Sequence, residues 1–432
     1  MTPLQLSFRG PLVGSLTLPG DKSVSHRAVL FNLLASGRAT VNGLLRSEDV
    51  EASMRAARAL GAVIEEHDDG RITITGTGGT LTEPTDVIDC GNSGTTMRLL
   101  TGLIASEPLF AVLTGDASLR GRPMRRVADP LRAMGVVVDG RHDGDRAPLA
   151  IRGGGRPLGE VSLSVASAQV KTCLLLAHRA YGLRLREPAR SRDHSERMLR
   201  AMGATLTEDE SGWLCLAPCP VLSALDVDVP GDLSSAAFFL VAASIVAGSD
   251  VLLRRVGVNP TRTGVIDALR TMGADLTVEP VDAAGAEPMA NVRVRATTLH
   301  AARIDGELAL RCLDELPVLA VAAAMAEGTT VIADAAELRV KESDRIATTV
   351  AGLRALGVAV EETPDGMIIE GGVPGVSEPR VIDAHGDHRI AMAFAVASLA
   401  LPDGATAPRI TGAEVISTSY PDFLNHVEAL CG

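Results

Sequence analysis

One module written six times constrains this chain more than anything else in it. Half of the module is a helix-like stretch that ends in Gly plus a small residue and runs into an alternating strand. It reads RALGAVIEE (58–66), RAMGVVVDG (132–140), RAMGATLTE (200–208), RTMGADLTV (270–278) and RALGVAVEE (354–362), and VEALCG (427–432) is a sixth copy cut short. Gly at such a place fits the residue after a helix, where the chain turns with positive φ, and the period-two alternation that follows predicts a strand.

The other half is an apolar, Ala/Leu-rich segment introduced by a polar cluster. The six are DKSVSHRAVLFNLLASG (21–37), GNSGTTMRLLTGLIAS (91–106), SAQVKTCLLLAHRAYG (167–182), GDLSSAAFFLVAASIVAG (231–248), LDELPVLAVAAAMAEG (313–328) and GDHRIAMAFAVASLAL (386–401). Bodies that are apolar nearly all round predict buried helices rather than surface ones. Their Ser, Asp, Asn and Gly starts predict N-caps. A repeat of roughly 65–85 residues is too long for a solenoid, so each copy is a small α/β subdomain.

At 432 residues the chain exceeds the size at which one core keeps growing, so two domains of three copies each are expected. Pro19-Gly20-Asp21 and Pro230-Gly231-Asp232 are near-duplicates, each opening an apolar helix. They suggest that the chain leaves domain one at the first and returns at the second. Domain one is then 1–19 plus 231–432, domain two is 20–230, and the crossings near 19–21 and 230–232 form a hinge.

A hydrophobic content of 46% supports a large core, but aromatics are only 2%, so Ala, Val, Leu, Ile and Met must build it. A net charge of −12 with so few stacking rings argues against a nucleic-acid binder. Six scattered cysteines form no disulfide framework or metal motif, which points to a reducing compartment. MTPLQLSFRG has no signal-peptide pattern, and no apolar run is suited to a bilayer, so a cytoplasmic protein without a membrane partner is expected.

Only three of the 41 Lys and Arg residues are lysines: Lys22, Lys171 and Lys341. All lie in dense polar clusters, PGDKSVSHR (19–27), ASAQVKT (166–172) and RVKESDR (339–345). An ammonium is a compact, rotatable point charge that Arg does not replace, so retention there suggests a need for it, although chance retention is the plainer alternative. Lys171 either lines a cleft or caps its own helix.

Every buried helix has its chemically interesting residues at its start, where unsatisfied N–H groups and a partial positive charge favour phosphate and carboxylate. They are Lys22, Ser23 and Arg27; Asn92, Thr95 and Arg98; Ser167, Gln169 and Lys171; Ser234 and Ser235; Asp314 and Glu315; Asp387, His388 and Arg389. Capping alone accounts for many of the polar residues. It does not account for Arg and Lys, which the helix dipole disfavours there, and such cations suggest an external anion. RVKESDR reads as a loop entering a helix near Ser343. That geometry would let Lys341, Glu342 and Arg345 reach one cleft. Arg125 and Arg126 read as solvated.

With PGDKSVSHR, DCGNSGTTMR, ASAQVK, LDE-x-P, RVKESDR and GDHR in order, nearly the whole chain resembles the EPSP synthases, the 3-phosphoshikimate 1-carboxyvinyltransferases. ASAQVK, SRDH and RVKESD look like the second class of that family. The resemblance implies a two-domain α/β enolpyruvyl transferase fold, each domain three βαβαββ units around buried helices (an inside-out α/β barrel), closing like a clam. It implies transfer of the enolpyruvyl group of phosphoenolpyruvate to the 5-hydroxyl of shikimate 3-phosphate by addition and elimination, on the shikimate route to chorismate and the aromatic amino acids. Carried over by motif, Lys22, Ser23, Arg27, Ser167, Ala168, Gln169, Arg192, Asp314 and Lys341 would hold shikimate 3-phosphate. Lys22, Gly94, Arg122, Gln169, Arg345 and Arg389 would hold phosphoenolpyruvate. Asp314 would be the base at the hydroxyl, with Glu342 and Lys22 serving the vinyl and phosphate side. No cofactor or metal is implied, and a monomer with the two small-molecule substrates as its partners is expected.

Two positions depart from patterns within the family. First-class enzymes place a lysine before the Thr-x-Pro-Asp stretch, where STSYPDF (417–423) offers Thr418. Gly94 stands where glyphosate-tolerant second-class enzymes carry Ala, which implies sensitivity to glyphosate. Two other functions stay open at this point. The sister enzyme acting on UDP-N-acetylglucosamine shares the repeats but carries a reactive Cys in the loop matching Asp116–Pro123, where this chain has none. A non-catalytic anion-binding module is the other, against which the presence of Asp314, Glu342 and Lys22 weighs.

Overall fold

The structure, a computed structural model, describes residues 3–6, 10–372, 380–402 and 405–432. The parts of expected domain one at 1–2, 7–9, 373–379 and 403–404 lie outside the described residues.

Each Gly-plus-small signature is one turn of the same kind. The helices Glu48–Ala59, Arg125–Ala133, His194–Ala201, Gly264–Thr271 and Arg345–Ala355 end just before Gly61, Gly135, Gly203, Gly273 and Gly357. Those five glycines have φ between 81° and 109°, a region where a side chain is strained, and each leads into a strand.

The apolar segments form the six expected interior helices: Lys22–Leu34, Gly94–Ala105, Ala168–Ala177, Leu233–Ile245, Leu316–Met325 and His388–Leu399. Every residue from Val24 to Leu34 is buried in the first, from Leu233 to Ser244 in the fourth and from Leu316 to Ala324 in the fifth. A helix hidden on all faces has nowhere to put polar groups except its ends.

A full repeat reads βαβαββ. In the second one, Ile88–Asp89, Phe110–Thr114, Arg146–Arg152 and Val137–Gly140 lie side by side in that order, the first pair parallel and the others antiparallel. Five four-stranded sheets of this type are present among the described residues. Among the described residues the sixth repeat shows the parallel pair Val381–Asp383 and Arg409–Thr411, to which Leu4 adds an antiparallel bridge at Ile410. No helix among the described residues is long and apolar enough to cross a membrane.

The chain divides into two compact units. Unit one holds Met1–Pro19, Gly231–Asp282 and Pro288–Gly432; unit two holds Gly20–Pro230 and Ala283–Glu287. The short excursion at 283–287 differs from the sequence expectation and has clear causes. Ala284 exchanges two hydrogen bonds with Asp228 (3.1 and 3.2 Å), and the Glu287 carboxylate meets His194 Nδ1 at 2.9 Å, both side chains buried.

Within unit two, the helices Gly94–Ala105 and Ala168–Ala177 approach so closely that a Cβ on Gly102 would lie 2.2 Å from the Cys173 carbonyl oxygen. Backbone cannot yield as a flexible side chain can. Gly102→Ala should therefore lower stability by about 1–3 kcal/mol, read as a shifted urea midpoint. An unchanged midpoint would contradict this helix contact.

Candidate active site

In unit two the starts of the three interior helices are tied to one another by side chains. Asp21 caps the first by accepting the Val24 N–H at 2.9 Å. His26 and Thr96, on the first and second helices, both bond the Ser53 hydroxyl at 2.8 Å. Gln169, on the third, donates to Thr95 Oγ1 at 2.9 Å and accepts from Arg98 Nη1 at 2.6 Å. Arg27 closes the ring by donating to Thr172 Oγ1 (3.1 Å), to Ser195 Oγ (2.8 Å) and to the Ser23 carbonyl (2.9 Å). These partners of Arg27 are all neutral oxygens. Burial pulls its pKa down to about 10, with Glu196 the largest opposing charge and Arg192 close enough to add like-charge repulsion.

Lys22 pairs with Asp49, an acid in the first turn of the helix Glu48–Ala59. Burial opposes ionisation of Asp49, but the Lys22 charge and hydrogen bond outweigh it and hold the carboxyl below its usual range. Gly94 sits between two guanidinia, since a Cβ there would lie 3.1 Å from Arg98 Nη1 and 3.4 Å from Arg122 Nη1. Arg122 is steadied by Asn92 Oδ1 at 2.7 Å. Ser167 caps the third helix through the Val170 N–H, with Ala168 its first residue.

Unit one repeats the pattern with different chemistry. Ser234 Oγ donates to Glu315 and receives Arg262 Nη2 at 2.6 Å, linking two helix starts. Arg389, at the third, reaches the Asp314 carbonyl at 3.2 Å and Glu315 at 3.7 Å. Arg345 meets three carboxylates: Asp387 at 2.7 Å, Glu342 at 2.6 Å and Asp314 at 3.2 Å. Burial works against its charge, yet Glu342, Asp387 and Asp314 together raise its pKa above the ordinary value. Lys341 Nζ stands 3.6 Å from the same Asp314 oxygen.

The sequence-predicted residues thus fall into two groups, each described within its own unit. Lys22, Ser23, Arg27, Gly94, Arg122, Ser167, Ala168, Gln169 and Arg192 lie in unit two; Asp314, Lys341, Glu342, Arg345 and Arg389 lie in unit one. Residues 341–344 form a link into the helix that Asp344 caps, with Lys341 and Arg345 both on Asp314 and Glu342 on Arg345. One inference needs correction. A cation at the start of a buried helix does not by itself require an external anion, because Lys22 is paired with Asp49 of its own unit. Lys171 does not cap its helix, which Ser167 caps; it is 2% exposed and ion-paired to Glu187 and Glu196.

Sequence reasoning missed Asp49, Thr172, Ser195 and Arg262. Asp49 sits among Glu48 and Glu51, an ordinary acidic first turn, so nothing marked it out. No group of three His, Cys, Asp or Glu able to hold a metal occurs among the described residues.

The chain superposes on an enolpyruvyl transferase, NikO from Streptomyces tendae, with a TM-score of 0.77 over 100% of this chain and 98% of that one. At 18% identity, that likeness shows the fold alone, and the fold is the enolpyruvyl transferase one. The family model "EPSP synthase (3-phosphoshikimate 1-carboxyvinyltransferase)" matches residues 7–427, and the chain belongs to that family. Relatives named 3-phosphoshikimate 1-carboxyvinyltransferase are 50% identical over 424 residues in Herpetosiphon aurantiacus and 51% over 421 residues in Roseiflexus castenholzii, each covering 96% of both chains. The solved EPSP synthase of Acinetobacter baumannii is 42% identical with a TM-score of 0.88, covering 99% of this chain and 97% of that one.

The buried imidazole of His26 gives the site a pH signature. Burial is the main cause of its pKa falling from 6.5 to about 3, so the folded protein keeps it neutral. An unfolded chain would take up that proton near 6.5, so stability is fully present above pH 6.5 and declines as pH falls toward 3. The slope from one such group approaches about 1.4 kcal/mol per pH unit. His26→Asn should flatten the acid side of the unfolding profile by about one proton, followed by circular dichroism. An unaltered slope would contradict the neutral assignment.

Proposed function

We propose that this chain transfers the enolpyruvyl group of phosphoenolpyruvate to the 5-hydroxyl of shikimate 3-phosphate, releasing phosphate, in the shikimate pathway. What carries the reading is that Lys22, Ser23, Gly94, Ala168, Gln169 and Arg389, which match the family motifs for two anionic substrates, sit at the first turns of buried helices, where N–H groups concentrate partial positive charge.

Lys22, Ser23, Arg27, Ser167, Ala168, Gln169 and Arg192 of unit two, with Asp314 and Lys341 of unit one, hold shikimate 3-phosphate. Lys22, Gly94, Arg122, Gln169, Arg345 and Arg389 hold phosphoenolpyruvate. Arg27 suits an anion because its hydrogen bonds go to neutral oxygens and leave its charge uncancelled at contact range. Asp314, oriented by Arg345 and Lys341, takes the proton of the 5-hydroxyl as its oxygen bonds to C2 of phosphoenolpyruvate. Glu342 and Lys22 serve the proton that adds to the vinyl carbon and is lost again when the C2–O bond to phosphate breaks. The reaction runs in the cytoplasm, in keeping with six free cysteines.

The test is phosphate release in EDTA with phosphoenolpyruvate and either shikimate 3-phosphate or UDP-N-acetylglucosamine. Turnover with the first acceptor alone supports the assignment. Turnover only with the second, or with neither, overturns it. Asp314→Asn should lower kcat by roughly 10²–10⁴-fold with smaller changes in KM, and a loss under tenfold would remove Asp314 from the role of base.

Glyphosate should inhibit competitively with phosphoenolpyruvate. A methyl at Gly94 would press on the Arg98 and Arg122 guanidinia. Gly94→Ala should therefore weaken inhibition roughly tenfold or more, the effect of about 1.4 kcal/mol of steric cost, and raise the KM for phosphoenolpyruvate less. Equal inhibition of both forms would contradict this placement.

A further inference from the structure

Lys171 is the one lysine of three that the proposed chemistry leaves unused. It sits in the first turns of the helix Ala168–Ala177 and is 2% exposed. Its ammonium lies 2.8 Å from Glu187 Oε2 and 2.7 Å from Glu196 Oε1. One buried cation therefore faces a buried carboxylate and a partly buried one, an arrangement that only specific geometry can justify against its desolvation cost.

Both carboxylates lead onward to the acceptor-binding residues. Glu187 follows the strand Leu183–Arg186, and its other oxygen accepts the backbone N–H of Ser167 at 3.2 Å. That contact fixes the residue which caps the helix carrying Ala168 and Gln169. Glu196 lies on the helix His194–Ala201 beside Ser195, whose hydroxyl receives Arg27 Nε at 2.8 Å. The carboxylate of Glu196 is also the largest charge favouring the buried Arg27 cation.

We propose that Lys171 is a positioning residue for shikimate 3-phosphate binding: by holding Glu187 and Glu196 together it sets the Ser167 cap on one side and the Ser195–Arg27 contact on the other. This rests on the function proposed above. Remove the ammonium, and two carboxylates that shared it face each other. Repulsion then drives them apart or one takes up a proton, and either way Ser167 and Arg27 lose their fixed partners. Gln169 is held independently from Thr95 and Arg98, so the phosphoenolpyruvate side is disturbed less. A cavity of about 170 Å³ borders Lys171 together with Glu187, Arg190, Asp193 and Glu196, which gives room for a longer cationic side chain.

The experiment is steady-state kinetics of the wild type, Lys171→Met, Lys171→Arg and Glu187→Gln with both substrates varied. The expected result for Lys171→Met is a rise in KM for shikimate 3-phosphate of roughly tenfold, with kcat and the KM for phosphoenolpyruvate within roughly threefold. Lys171→Arg should recover most of that loss. A wild type without turnover would overturn the function proposed above. A wild type that turns over, with a Lys171→Met variant whose KM for shikimate 3-phosphate is unchanged or whose three parameters fall together, overturns the role of Lys171 alone. If Lys171→Met does not fold by circular dichroism, Glu187→Gln decides. A selective rise in the same KM supports the proposal, and no change overturns it.

Discussion

Charge at the entrance of a buried helix is the constraint on which this structure turns. Interior helices with no polar face must gather their polar residues in the first turn, and a charge held out of water there is costly unless paired and hydrogen-bonded. Each unit meets that demand from its own three helix starts; both pair cations with carboxylates, Lys22 with Asp49 in unit two for one, and they differ at Arg27. Unit one balances Arg262, Arg345, Arg389 and Lys341 against Asp232, Asp314, Glu315, Glu342 and Asp387 at short range. Unit two surrounds Arg27 with hydroxyls and a carbonyl, while Glu196, Asp21 and Glu287 act on it as charges that do not hydrogen-bond to it.

That contrast has chemical content. A guanidinium bonded to neutral oxygens keeps its attraction for an incoming phosphate, whereas one clasped by three carboxylates, as Arg345 is, is held rigidly but largely neutralised. Carboxylates around Arg345 and Lys341 are also the groups that proton transfer needs, and their cations fix where each oxygen points. Arg27 of unit two is thus suited to receive negative charge, and the carboxylates about Arg345 in unit one to serve as acids and bases. Both tasks follow from six helices whose bodies are too apolar to carry any function.

Much of this was legible in the residues. The Gly-plus-small turns marked five helix ends because only a residue without a Cβ takes the positive φ found there, and the apolar segments marked the interior because they have no polar face. Asp21, Ser167, Asp232 and Asp387 were readable as caps from their place before those segments. Pairing across long sequence separations was not. Glu187 and Glu196 resemble many other exposed-looking glutamates until the fold brings them to Lys171, and Asp49 is one acid among several in its turn. The excursion at 283–287 was hidden for the same reason, since only the folded chain brings Glu287 to His194. Leu4 completing the sixth sheet at Ile410 depends on a contact 406 residues apart.

The most direct test of these helix starts as anion holders is an experimental structure of the protein with shikimate 3-phosphate bound. The account predicts the ligand's phosphate oxygens within hydrogen-bonding distance of Ser167 and Gln169, with the Arg27 guanidinium still on Ser195 and Thr172. A ligand lodged away from all three starts of unit two, with Ser167 and Gln169 facing only protein and water, would contradict it.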